Sequence, residues 1–228
     1  MALITPGPLV AEIRGSVGGT TFSRNRHGMY TRARAIPVNP TTPSQVLARS
    51  RFNQLATYWR DTLVQAQRDA WDVYAKNTPW TNAVGQSTLL TGMNHFVRSN
   101  TALLQIGEAV LVPAPVSFGL PDQEVLWGQA TDATLQNVAV VYTFDTSTDD
   151  QHYLFYQGQP VPGSHTFFAG PWRYLGVISG DAGSPPTSPE TFPCVYPVGA
   201  GQNSFVYCRR IDPDGRLTEP FRYSDIVS

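Results

Sequence analysis

Apolar and polar positions change period twice along this chain. Leu9 to Ile36 runs in short alternating pieces cut by glycines. Leu9–Ile13 can form a first strand, and Thr20–Asn25 and Met29–Ile36 read as the two strands of a hairpin. After Pro37-Val-Asn-Pro40, a stiff non-helical joint, the spacing lengthens to that of helices. Thr42 as N-cap, Pro43 and Gln45 open the first helix, whose buried stripe is predicted to be Phe52, Leu55, Trp59 and Leu63. Thr62 and Gln65 repeat the cap signature for a second helix to about Lys76, with Ala66, Ala70, Val73 and Tyr74 as its inner face. A third helix is predicted near Thr91–Gln105, stopped by Gly107. Met93, Val97, Asn100 and Leu104 share its face, so Asn100 is a buried polar group in need of a partner.

Beyond Glu108 the apolar runs shorten again. Val110–Val112, Val125–Trp127, Val138–Phe144, His152–Tyr156, Trp172–Ile178, Ser204–Ile211 and Leu217–Tyr223 read as strands of an antiparallel β-sandwich. The clearest pair flanks the turn Asp212-Pro-Asp-Gly215. The last 25 or so residues resemble the closing hairpin of fibronectin type III-like domains. The predicted class is α+β in three parts: an extended arm over 1–41, a three-helix unit over 42–107 and an immunoglobulin- or fibronectin-like sandwich over 108–228.

The hairpin's register decides its chemistry. A three-residue loop, Arg26-His27-Gly28, pairs Arg24 with Tyr30 and Phe22 with Arg32, and brings Arg34 to the same face. One face is then aromatic and guanidinium. A two-residue loop splits the arginines between both faces, and the three-residue loop is the expected one. A lone two-stranded ribbon is marginal in water and needs a surface to lie on.

Composition supports a loop-rich β protein: nineteen glycines and nineteen prolines stand beside only 14% charged residues. The net charge of −1 conceals a gradient. Residues 1–60 carry +7, with eight arginines against Glu12, whereas 105–228 carry −8. A basic front and an acidic back suit docking onto copies of the same chain or onto an acidic partner. Fifteen arginines to one lysine, Lys76, suit interfaces where a guanidinium forks or stacks, and a GC-rich genome gives the same bias. No apolar run approaches the roughly 18 residues of a membrane span, and MALITPGPLVAEIRG lacks a basic start and apolar core, so a soluble protein made in the cytoplasm is expected. Cys194 and Cys208 allow a cross-strand disulfide; two free thiols are expected in a reducing compartment.

No catalytic constellation, cofactor motif or metal-ligand spacing emerges. Gly15–Gly19 lacks the Lys-Ser/Thr of a phosphate loop and the distant acid of a dinucleotide turn. His27, His95, His152 and His165 are scattered, and His95 reads as a surface or satisfied core histidine. Asp145–His152 starts like a calcium loop but has Asp150 and Tyr156 where glycine and glutamate are required, which favours a solvated acidic turn. Phe22, Arg24, Arg26, Tyr30, Arg32 and Arg34 are therefore the candidate partner-binding residues. Arginines with interleaved aromatics suit nucleic acid, or insertion between protein subunits. The absence of lysine from the arm and an inward turn of Phe52 and Trp59 favour protein.

GSVGG-TTFSRNRHGMYTRARAIPVNPTTPSQ, followed by FNQLATYWRDTL and QRDAWDVYA, resembles a family of uncharacterised proteins of tailed bacteriophages and prophages. The shared elements are a Gly-rich turn and aromatic-Ser-Arg strand (Gly18–Arg24), Tyr-x-Arg-x-Arg (Tyr30–Arg34), Asn-Pro-x-Thr-Pro-x-Gln (Asn39–Gln45) and Gln-Arg-x-x-Trp (Gln67–Trp71). The resemblance covers about residues 10–107 and implies a structural virion component, not an enzyme, with no catalytic residues to carry over. Its expected partners are other virion proteins and copies of itself, with no membrane and no small-molecule substrate. A capsid-associated or decoration protein is the first expectation. A tail or head–tail connector component is the second, and a nucleic-acid-binding packaging factor is the alternative of another class.

Overall fold

The computed structural model describes residues 2–3, 7–8, 10, 12–25, 28–36, 38–81 and 87–228. The chain is mixed α+β and divides into two compact units, 1–46 and 47–228.

In the first unit β1 (Ala2–Leu3), β2 (Gly15–Val17), β3 (Thr20–Asn25) and β4 (Gly28–Ala33) form one antiparallel sheet in the order β1-β4-β3-β2. The expected two-stranded ribbon is thus a four-stranded sheet. The two added strands lie at Ala2–Leu3 and Gly15–Val17, and residues 10, 12 and 13 of the predicted first strand are in no strand. Local geometry explains the shift. Gly18 takes a φ of +56°, a region open to glycine, and folds Gly15–Val17 back against Phe22–Thr20. The hairpin register also differs from expectation: Asn25 pairs with Gly28, so two residues separate the paired ends, not three. Two-residue connections match the natural twist of paired strands.

α1 (Pro43–Asp61) begins in the last residues of the first unit, continues into the second and opens as predicted. Thr42 N and Gln45 Oε1 lie 3.4 Å apart, as do Gln45 N and Thr42 Oγ1, the reciprocal bonds of a capping box. Leu55 is the only fully buried residue of α1, with Tyr58 and Trp59 half-buried, while Phe52 is 55% exposed and does not join the core. α2 (Gln65–Asn77) is capped at Val64, two positions after the predicted Thr62, with Gln67 Oε1 accepting from Val64 N at 3.0 Å. Its inner face is Trp71, Tyr74 and Ala75, and Ala66, Ala70 and Val73 are exposed. The rotation follows from area. One tryptophan buries far more apolar surface than two alanines, so the helix turns to bury Trp71. α3 (Gly92–Ile106) is capped by Thr91 and ends at Gly107, whose φ is +91°. Between α2 and α3, β5 (Trp80–Thr81) pairs with β6 (Ser87–Thr88).

The remaining strands are β7 (Trp127–Asp132), β8 (Asn137–Tyr142), β9 (His152–Gly158), β10 (Val161–Pro162), β11 (Trp172–Ser179), β12 (Glu190–Pro193), β13 (Gln202–Ile211) and β14 (Phe221–Ile226). One sheet runs β10-β13-β9-β11 with β14 on β13; the other runs β12-β8-β7. β10 and β12 were not foreseen. Val110–Val112 was predicted as a strand and is none, because side chains take its backbone groups: Trp71 Nε1 donates to Val112 O at 3.0 Å, and Asn100 brackets Leu111. Leu217 makes only an isolated bridge to Ile211, and the final strand starts at Phe221.

Alternation along β9 builds the layers. Tyr153 and Phe155 face Trp127, Val138 and Val140 of the three-stranded sheet across one core. Leu154 and Tyr156 face the other way, where Leu154 packs with Ala102 and Leu103 of α3 and with Ile211 and Leu217. A third cluster joins the helices through Leu55, Leu63, Trp71, Tyr74 and Phe96. Helices, five-stranded sheet and three-stranded sheet are therefore stacked in that order.

Candidate interaction surface

A one-residue change of register moves each side chain of one strand to the opposite face. Phe22 now pairs with Thr31 and Arg24 with Met29 on one face; Ser23 pairs with Tyr30 and Thr21 with Arg32 on the other. The arginines are divided, contrary to the expected single aromatic–guanidinium face. Ser16 and Thr21 share a hydrogen bond of 2.9 Å on the face of Tyr30 and Arg32. Arg34 follows the end of β4, its N–H donating to Gly19 O at 2.8 Å. Arg26 lies outside the described residues. Structure thus places four of the six candidates on one small sheet, two on each face, with Arg34 just past its end.

Charge is only locally balanced. Glu12, the sole acid before Asp61, accepts from Arg14 at 2.8 Å and lies 3.8 Å from Arg24. Arg32 and Arg34 have exposed side chains and no ion pair among the described residues. Phe22 and Tyr30 are half-buried, and no described residue of 1–46 is fully buried. Val17, Ile36 and Val38 are 75%, 80% and 90% exposed. Phe52, Val46 and Leu47 add exposed apolar area on α1, which sequence periodicity assigned inward at Phe52. That removes the inward turn of Phe52 as an argument against nucleic acid.

Elsewhere the polar groups are mostly committed to structure. Asp145 Oδ1 accepts from Ser147 N at 2.8 Å and Ser147 Oγ at 2.6 Å, and Asp149 accepts from Ala182 N at 2.8 Å, so the acidic turn is laced by its own carboxylates. Arg210 joins the buried Glu124 at 3.1 Å and Asp212 at 2.8 Å, and Arg216 joins Asp214 at 2.7 Å. Sequence reading missed this network, because Glu124 and Arg210 are separated by 86 positions. Cys208 is buried and Cys194 half-buried; both are free thiols, and burial raises the pKa of each, so neither is a poised nucleophile.

His95 is a core histidine, but not the fully satisfied one that was expected. His95 is 1% exposed, edge-on to Tyr74, with Nε2 lacking a partner among the described residues. Burial, then the Arg98 charge, holds its pKa below the ordinary histidine value. His152 Nδ1 lies 2.9 Å from Ser179 Oγ across the β9–β11 ladder. The nearby backbone donors Gly180 N and Asp181 N are occupied by Gln151 O and Thr146 O, so neither is free to receive an oxyanion. Among the described residues no group of three or more His, Cys, Asp or Glu is placed to hold a metal ion, and no helix is long and apolar enough to cross a membrane.

No protein-family model and no curated protein matches this chain.

Proposed function

We propose that this chain is a structural protein of a tailed-phage particle, capsid-associated or a decoration protein, held to neighbouring subunits by its N-terminal sheet. The observation that carries the reading is a sheet of four strands with no fully buried described side chain. Such a sheet cannot supply its own core, and its faces are completed by another surface. The motif resemblance over residues 10–107 supplies the particle. Arg32 and Arg34, without ion pairs among the described residues, suit carboxylates of a neighbouring copy, whose residues 105–228 carry −8. In this reading 108–228 is a β-sandwich of immunoglobulin or fibronectin type with the helices of 42–107 layered on it, and 1–41 is the arm. A tail or connector ring uses the same contacts and is the second position on the particle.

The test is incorporation of full-length chain into particles. Arg32→Lys with Arg34→Lys keeps the charge and removes the planar fork, so weakened incorporation is expected, each change costing about 1–3 kcal/mol where the pair is desolvated. Full incorporation of the double variant reduces the contact to plain charge attraction. Duplex and single-stranded DNA are tried beside it at about 150 mM salt. Sub-micromolar DNA affinity without particle binding replaces the proposal with a packaging factor.

A further inference from the structure

Two arginines meet in the seam between α3 and the outer face of the five-stranded sheet. The seam holds a half-open cavity of about 270 Å³, lined by Arg98, Thr101 and Gln105 from α3 and by Tyr156 and Arg209 from β9 and β13. Its floor is apolar, with Leu154 and Leu217. Arg98 spends one N–H on Leu217 O at 2.8 Å and lies over the Trp80 ring at 4.9 Å. Arg209 makes no side-chain hydrogen bond or ion pair among the described residues, and its Nε is out of contact with solvent and unpartnered. Tyr156 Oη donates to Gln105 Oε1 at 3.0 Å, which turns the Gln105 amide into a further free donor.

Like charges confined in a half-buried seam repel, and each unmade hydrogen bond there is costly. Burial and the neighbouring Arg209 charge pull the Arg98 pKa down to about 10, against the opposing attraction of Glu219, which makes no ion pair with either arginine. Both guanidiniums therefore lack the ion-paired carboxylate that the half-buried Arg210 and Arg216 possess.

We propose that the Arg98–Arg209 cavity is a binding site for one small oxyanion, a phosphate or a carboxylate, gripped between two guanidiniums with Thr101 and Gln105 as neutral donors. The chemistry is that of forked, charge-assisted hydrogen bonds, which match both anions. The site is in the second unit and is independent of the N-terminal sheet. It stands or falls apart from the assembly reading.

The experiment is isothermal titration of the full-length protein with sodium phosphate, and separately with sodium glutarate, against sodium chloride at matched ionic strength, with thermal unfolding in parallel. Saturable one-to-one binding of either anion is expected, with a rise in unfolding temperature that chloride does not give. Phosphate alone identifies a free or esterified phosphate as the source; glutarate alone identifies a carboxylate, free or on a side chain. Arg209→Gln is expected to weaken binding about tenfold or more and, with no anion present, to unfold no earlier than the parent, since it relieves a repulsion. Arg209→Lys keeps the charge but loses the fork and is expected to bind between the two. Equal responses to phosphate, glutarate and chloride overturn the proposal. So does anion binding that survives undiminished in both Arg209 variants.

Discussion

Asn100→Ala isolates the bond set that ties α3 to the segment after it. Asn100 is wholly buried; its Nδ2 donates to Phe96 O at 3.0 Å and Leu111 O at 3.1 Å, and its Oδ1 accepts from Leu111 N at 2.6 Å. Alanine removes all three and leaves the Leu111 backbone groups without partners. Two cross-segment bonds contribute about 1 kcal/mol each, and an orphaned, partly buried N–H adds about 1 kcal/mol or more, so the expected loss is about 3 kcal/mol. All five tryptophans lie after residue 47, so tryptophan fluorescence in a urea titration reads the second unit alone. The midpoint is expected to fall with the slope unchanged. Asn100→Asp sharpens the test: it keeps the acceptor toward Leu111 N and points a carboxylate at two carbonyls. That raises the folded pKa of the new acid above its unfolded value, so the penalty is smallest at low pH and grows as pH rises through the folded pKa. A loss below about 1 kcal/mol for Asn100→Ala, or a pH-independent Asn100→Asp penalty, refutes the reasoning.

Acid should destabilise the second unit: the folded pKa values of His95 and His152 are lowered by burial, so their contribution is present above the unfolded value near 6.5 and is lost as pH falls through the folded values. His95→Gln should flatten part of that loss in unfolding midpoints taken from about pH 7 to 5, and an unchanged profile excludes His95 as a cause. Gly92→Ala places a Cβ 2.7 Å from Asp72 N and 2.8 Å from Trp71 C, backbone atoms that cannot swing away, so a loss of about 1–3 kcal/mol is expected in the same titration. Limited trypsin digestion of the isolated chain should cut after Arg24, Arg32 or Arg34 and leave a stable fragment starting at Ala35; equal protection of the sheet in the free chain contradicts the need for a partner surface.

Local signals carried much of the fold. The Thr42–Gln45 capping box, the stop at Gly107 and the Asp212–Gly215 turn act within a few residues, and each stands where the sequence placed it. Strands β8, β9, β11 and β13 followed from runs of apolar residues bounded by turn formers. Asn100 was recognisable as a buried amide because helical spacing put it among apolar neighbours. Tertiary structure decided what depends on distant groups. Trp71 rotated α2 away from its alanine stripe, and Trp71 and Asn100 together held Val110–Val112 out of any ladder by taking its backbone groups. The hairpin register, and with it the division of Arg24 from Arg32, depends on pairing across two turns rather than on the alternation within one strand, since either register preserves that alternation. The Arg98–Arg209 seam was invisible for the same reason: 111 positions separate two ordinary arginines, and only the packing of α3 on the sheet makes them neighbours.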